Sequence, residues 1–187
     1  HMSYPVFVLS GIIIWNLFNS SVSHAGESMI QNSAIIKKIY FPRLIIPSAS
    51  ILVSLFDFVI AFCIFIFIAL FYQSVQWTAL FYFPAAILFC LIAAFGMGSF
   101  LSALNVKYRD VRFALPFLIQ LWLFVSSVIL PSTSIPQKWR WLLMLNPMSG
   151  IIEGYRAALF GLPFDWPALG IASALLGDPQ TLILDEP

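Results

Sequence analysis

The sequence predicts an all-α integral membrane protein, a polytopic helical bundle, and two observations carry that expectation. Hydrophobic residues make up 61% of the 187-residue chain and charged ones 9%, with a mean hydropathy of +0.95. A soluble domain carries about 25% charged residues. The charges are also clumped. The 63 residues between Arg43 and Lys107 hold only Asp57, and the 25 residues between Arg112 and Lys138 hold none. Such stretches exceed the roughly 20 residues a helix needs to cross the hydrocarbon core. Polar backbone in lipid must be satisfied within its own segment, so the spans are expected to be α-helices. The net charge of +1 does not point to nucleic acid, because placement of charge matters here and not its sum.

The first segment, Tyr4 to Asn32, starts apolar and turns amphipathic. Asn16, Ser20, Ser23, Glu27 and Gln31 recur at spacings of three and four, which sets them on one helical face. A basic stretch, Ile35 to Arg43, precedes a second span from Leu44 to about Phe71. Residues 73–76 make a short uncharged turn. The third span runs from about Ala79 to Leu104, with Trp77, Tyr82 and Phe83 placed as an aromatic belt where it begins. Ala93, Gly96, Ser99 and Ala103 are expected to form a packing seam, since small residues let helix backbones approach closely. Lys107, Arg109 and Arg112 precede a fourth span, Phe113 to Leu130.

From Pro131 to Gly161 the texture changes, with prolines, tryptophans and charges among short apolar runs. Neither Trp141–Leu145 nor Ala157–Phe160 is long enough to span, so short amphipathic helices at or dipping into the interface are expected, separated by turn signals at Asn146-Pro147 and Gly150. The expected architecture is therefore about four full spans plus short outer interfacial or re-entrant helices. The basic loops 37–43 and 107–112 are separated by two spans and share a side, which the positive-inside bias makes cytoplasmic. Cys63 and Cys90 lie inside apolar runs and read as packing residues. His1-Met2 reads as a cloning remnant, and no basic n-region precedes Val6, so no signal peptide is expected.

Four motifs carry a family resemblance: YPVFVLSGIIIWNLFNSSV, IIKKIYFPRLIIP, LSALNVKYRDVRFALPFLIQLWLF and IPQKWRWLLMLNPMSGIIEGYRAALFG. In order and spacing, from about Tyr4 to Trp166, they resemble the membrane subunit of ABC exporters for polysaccharide and polyol phosphate, within the type 2 exporter superfamily. The resemblance implies a homodimeric six-helix permease of the bacterial inner membrane, truncated here. A separate ABC ATPase would bind ATP and Mg²⁺ and drive export of polyprenyl-linked glycan or polyol phosphate, of O-antigen, capsule or teichoic-acid type. The chain itself would bind no cofactor and would not be an enzyme alone. Residues 1–172 would form the partial transmembrane domain.

The resemblance also implies site residues. Lys37, Lys38, Tyr40, Phe41, Pro42 and Arg43 match the coupling elbow that docks on the ATPase; Pro42 ends one helix and starts another. The plainer reading is that the three cations anchor the helix end at lipid headgroups. Lys107, Tyr108, Arg109, Asp110 and Arg112 form a second cytoplasmic signature turn, or a topology anchor, where an exposed Arg109–Asp110 pair is worth under about 1 kcal/mol. Asp57, near the centre of a span, is expected to face a partner or a watery cavity, as conduit lining or helix contact. Gly96 and Ser99 are conduit or packing residues. Glu27 is expected to be interfacial or cytoplasmic. Trp139, Arg140, Trp141, Asn146, Pro147, Glu153, Tyr155 and Arg156 match the outer gate region. There, aromatic faces including Phe160, beside Lys138, Arg140 and Arg156, could hold sugar rings and pyrophosphate, or simply mark an interfacial helix.

Residues 173–187 depart from the permease pattern and resemble the Walker B strand of an ABC ATPase, with Asp185 in the Mg²⁺ position and Glu186 beside the attacking water. No G-x-x-x-x-G-K-[ST] loop occurs in the chain, so both acids are expected to be inert. A tail that starts partway into an ATPase domain favours an artificial or mistaken join over a natural fusion. Two rival functions remain at the level of sequence. A membrane-embedded enzyme acting on polyprenyl-linked sugars would draw on His24, Glu27, Asp57, Asp110, Glu153 and Asp165, which show no paired motif. A purely structural membrane subunit would need none of these.

Overall fold

A computed structural model describes residues 4–33, 45–72, 81, 83–108, 110–126, 128 and 146–160. These residues form five helices: α1 Tyr4–Gln31, α2 Ile45–Phe71, α3 Phe83–Lys107, α4 Val111–Val125 and α5 Pro147–Phe160. Four of them carry a proline within their first three residues, Pro5, Pro47, Pro84 and Pro147. There the missing N–H costs nothing and the fixed φ suits the helix.

The first three helices have 28, 27 and 25 residues, so at about 1.5 Å per residue each is long enough for a hydrocarbon core of about 30 Å. Their bounds lie close to the predicted spans. The expected fourth span is shorter than its apolar sequence: α4 has 15 residues, about 22 Å of helix. It stops because Ser126 turns extended (φ −89°, ψ 149°), its N–H reaching back to the carbonyls of Trp122 and Leu123. Inside α4, Pro116 removes one ladder donor.

The bundle is organised around α1, which packs against each of the other four helices; α3 additionally meets α2, α4 and α5. The closest approach is between α1 and α3. A Cβ added at Gly98 would stand 2.7 Å from the Ala25 Cβ, and Asn105 Nδ2 donates to the Gly26 carbonyl at 2.8 Å. Small residues bring two backbones together, as expected, but the line differs from the predicted one. Ala93, Gly96 and Ser99 are buried, whereas Ala103 is exposed, and the approach to α1 is made at Gly98 and Asn105. Seven residues apart, these two stand two turns along one face of α3.

Phe83 is also placed differently from the aromatic belt predicted for it. It is buried, stacks on Phe62 at 4.2 Å between ring centroids, and meets the Tyr155 ring at 5.5 Å, joining α2, α3 and α5. Ring neighbours on two other helices outweigh the interfacial preference of an aromatic residue at a helix start. On the outside, α2 presents Leu52, Phe56, Ile60, Phe67 and Phe71, and α4 presents Phe113, Phe117 and Phe124. Apolar faces of this extent are what a lipid-contacting surface requires.

Candidate functional site

The polar stripe of α1 leads to the site. Asn16, Asn19 and Ser23 face Pro116, Ile119, Gln120 and Leu123 of α4 across a cleft of about 520 Å³, with Ile12 and Trp15 completing its apolar wall. Asn16 and Gln120 are exposed, Asn19 and Ser23 half-buried, and the Ser23 hydroxyl donates to Asn19 Oδ1 at 3.4 Å. Three primary amides and a hydroxyl on facing helices are costly against lipid, so such a surface belongs to a watery path or a polar neighbour. The cleft's polar groups are neutral, which suits hydroxylated groups better than a fixed ion. Farther along α1, His24 Nδ1 lies 3.1 Å from Ser54 Oγ on α2, and Gln31 Nε2 donates to Glu27 Oε2 at 3.0 Å.

α5 packs on α1 and α3, and its start meets the end of α4. Asn146 caps it: Asn146 Oδ1 accepts the Met148 N–H at 3.0 Å, a side-chain N-cap ahead of Pro147. The same oxygen accepts Trp122 Nε1–H at 2.9 Å, while Asn146 Nδ2 donates to Ser126 Oγ at 3.1 Å. Ser126 Oγ in turn donates to the Trp122 carbonyl at 2.8 Å. A single buried amide thus joins the start of α5 to the end of α4.

Near the far end of α5, the Arg156 guanidinium is 2% exposed. Its Nη2 donates to the Val128 carbonyl at 2.6 Å and the Phe7 carbonyl at 3.2 Å, and the group lies 3.7 Å from the Phe7 ring centroid. A buried cation is tolerable only when it is so engaged.

Arg156, Tyr155 and Phe160, expected among the aromatic and cationic groups of the gate region, are buried and face the bundle. Gly150 lies inside α5 and separates nothing. Every described side chain from Met148 to Phe160 is buried except Glu153, which is half-buried, so α5 packs within the bundle along its length. Burial on all sides follows from what α5 meets, α1 and α3 along its length and the α4 end at its cap.

The remaining predicted residues fall as follows. Asp57 is exposed on α2, apart from the cleft, and Gly96 and Ser99 are buried in α3. Lys107 ends α3 and lies 5.8 Å from the ring centroid of the exposed Tyr108. Asp110 precedes α4 as its N-cap residue without a side-chain cap bond, and Arg112 is in the first turn of α4. Lys37, Lys38, Tyr40, Phe41, Pro42, Arg43, Arg109, Trp139, Arg140, Trp141, Asp185 and Glu186, and the 173–187 tail, lie outside the described residues. Sequence reasoning missed Gly11, Gln120, Trp122 and Ser126. For the last two, the signal was an amphipathic contradiction: a tryptophan and two serines inside an apolar run.

Three helices long and apolar enough to cross a membrane, wrapped in exposed apolar side chains, define a multi-pass membrane protein. The chain belongs to the ABC-2 type transporter family, whose family model matches residues 2–160. It is similar to the O-antigen export system permease protein RfbA of Klebsiella pneumoniae, with 29% identity over 157 residues, covering 82% of this chain and 60% of the relative. It is similar to the protein of the same name from Myxococcus xanthus at 25% identity over 175 residues, covering 91% and 67%. The polysialic acid transport protein KpsM of Escherichia coli is 25% identical over 167 residues, covering 84% and 62%. The chain thus spans about 60% of the length of the Klebsiella relative.

Proposed function

We propose that the chain is part of the permease subunit of an ATP-driven exporter of bacterial surface polysaccharide, and that the α1–α4 cleft walls its conduit. The cleft carries the proposal: Asn16, Asn19, Ser23 and Gln120 make a polar surface between α1 and α4. Neutral amides and hydroxyls can exchange hydrogen bonds with successive sugar hydroxyls without trapping any one of them, as a path requires and a tight binding site does not. The relatives' names support a polysaccharide cargo, O-antigen in one case and polysialic acid in the other.

The finer assignments belong to the same proposal. The subunit works as a homodimer in the inner membrane, with loops 37–43 and 107–112 on the cytoplasmic side and the former coupling to a separate ATPase. That ATPase binds ATP and Mg²⁺. The cargo is a polyprenyl-linked glycan or polyol phosphate, teichoic-acid type included.

The test is export by the full-length permease with its ATPase, in cells lacking the native copy. Asn16→Trp and Gln120→Trp each put an indole into the cleft and are expected to reduce surface polymer sharply while permease and ATPase still co-purify. Undiminished surface polymer in both variants would overturn the conduit assignment.

A further inference from the structure

We propose that Arg156 is a positioning residue that ties α1 to the end of α4 and so sets the width of the cleft at that end. One nitrogen, Nη2, holds two carbonyls that belong to different helical segments, Phe7 in α1 and Val128 just past α4. The cleft begins close by on both sides, with Ile12 five residues after Phe7 and Leu123 five residues before Val128. The tie therefore spans the same two helices that face each other across the cleft, at one end of it.

Three features show that the seat is built for this group. The Val128 carbonyl lies past the end of α4, and Val128 is fully buried. A buried carbonyl needs a donor, and Arg156 Nη2 supplies one at 2.6 Å. The Phe7 ring supplies a face for the guanidinium plane, which a lysine ammonium would use less well. Finally, Gly11 leaves the space the group occupies: a Cβ there would collide with Nη2 and stand 3.0 Å from the Val128 carbonyl oxygen. Gly11 is one helical turn after Phe7, so the ring, the carbonyl and the gap share one face of α1.

The Asn146 cap strengthens the tie. It grips Ser126, two residues before Val128, so α5 holds the turn after α4 at both of its own ends. α5, that turn and the N-terminal end of α1 then move together, and the cleft opens at this end only when the Arg156 contacts break. The link to transport rests on the conduit proposal, whereas the tie itself does not.

Cross-linking tests the tie in the full-length permease in native membranes, with Cys63 and Cys90 replaced by alanine. Ile12→Cys paired with Leu123→Cys reports the tied end of the cleft through a short bis-maleimide. His24→Cys paired with Ser54→Cys, whose native side chains are 3.1 Å apart, reports α1–α2 packing in the same way. Arg156→Gln, and separately Gly11→Ala with Arg156 intact, are expected to remove most of the Ile12–Leu123 product and to leave the His24–Ser54 product unchanged. An unchanged Ile12–Leu123 yield in either variant would overturn the proposal. So would parallel loss of both products, which would make Arg156 and Gly11 general fold determinants. Export by the Asn16→Trp variant is read separately, so failure of the conduit assignment leaves the cross-linking result intact.

Discussion

α2 and α5 invert the rule for soluble proteins. α2 is almost uncharged and the more apolar of the two, yet about half of its side chains are exposed, Phe67 by 77% and Phe71 by 85%. α5 carries Glu153 and Arg156 in 14 residues and is buried nearly throughout. In lipid the apolar helix gains nothing by hiding, because hydrocarbon tails are as apolar as leucine. A helix with a cation and many small residues gains a great deal from partners that satisfy its polar groups. Burial in this protein therefore follows hydrogen-bond demand and close packing, not hydropathy.

The largest effect that bears on this difference is expected where packing is tightest. Gly98→Leu would drive α3 off Ala25 and the Ser21–Val22 backbone, and overpacking of this kind costs about 3 kcal/mol. The expected result is loss of folded protein, read by the melting temperature in detergent. Asn146→Ala removes the α5 cap and leaves the Trp122 indole N–H without its acceptor, a loss of about 2 kcal/mol. Size exclusion and thermal melting measure it, and an unchanged melt would mean the α4–α5 junction is held by something else.

A sharper test comes from a group that burial leaves unsatisfied. Among the described residues the buried Tyr155 hydroxyl has no hydrogen-bond partner, so Tyr155→Phe is expected to be neutral or to stabilise by up to about 1 kcal/mol. A fall in melting temperature would show that the hydroxyl has work to do. The smallest effect is expected on α2. Phe67→Ala replaces an exposed ring and should change stability by less than about 0.5 kcal/mol, as surface changes do. A large fall would show that a second helix covers that face, and Asp57, exposed on the same helix, would then be examined as part of that contact.

Sequence reading located α1 and α2 to within a residue at each end, because a long apolar stretch with a single charge is a strong local signal. The polar face of α1 was equally legible, since Asn16 and Ser23 follow the helical period. The end of α4 was not. Its apolar run continues to Leu130, and what stops the helix is an extended Ser126 fastened by Asn146, twenty residues on. The interior position of α5 was hidden for a related reason. Tyr155 and Arg156 look interfacial by composition, and only Phe7, Val128 and Phe83 in three dimensions turn them inward. Gly11 carries no local signal at all, because its role depends on a side chain from the far end of the chain.

The most direct test is a pair of single-cysteine permeases, Asn16→Cys and Ile152→Cys, made full-length with Cys63 and Cys90 replaced by alanine. Each is treated in native membranes with a charged, water-soluble maleimide, which reaches thiols only along an aqueous path. Labelling at position 16 and protection at 152 is the predicted result, with the polar surface in the cleft and α5 in the interior. Labelling at 152 with protection at 16 would contradict it, and would return α5 to the water-facing side and leave the cleft to lipid or to packing.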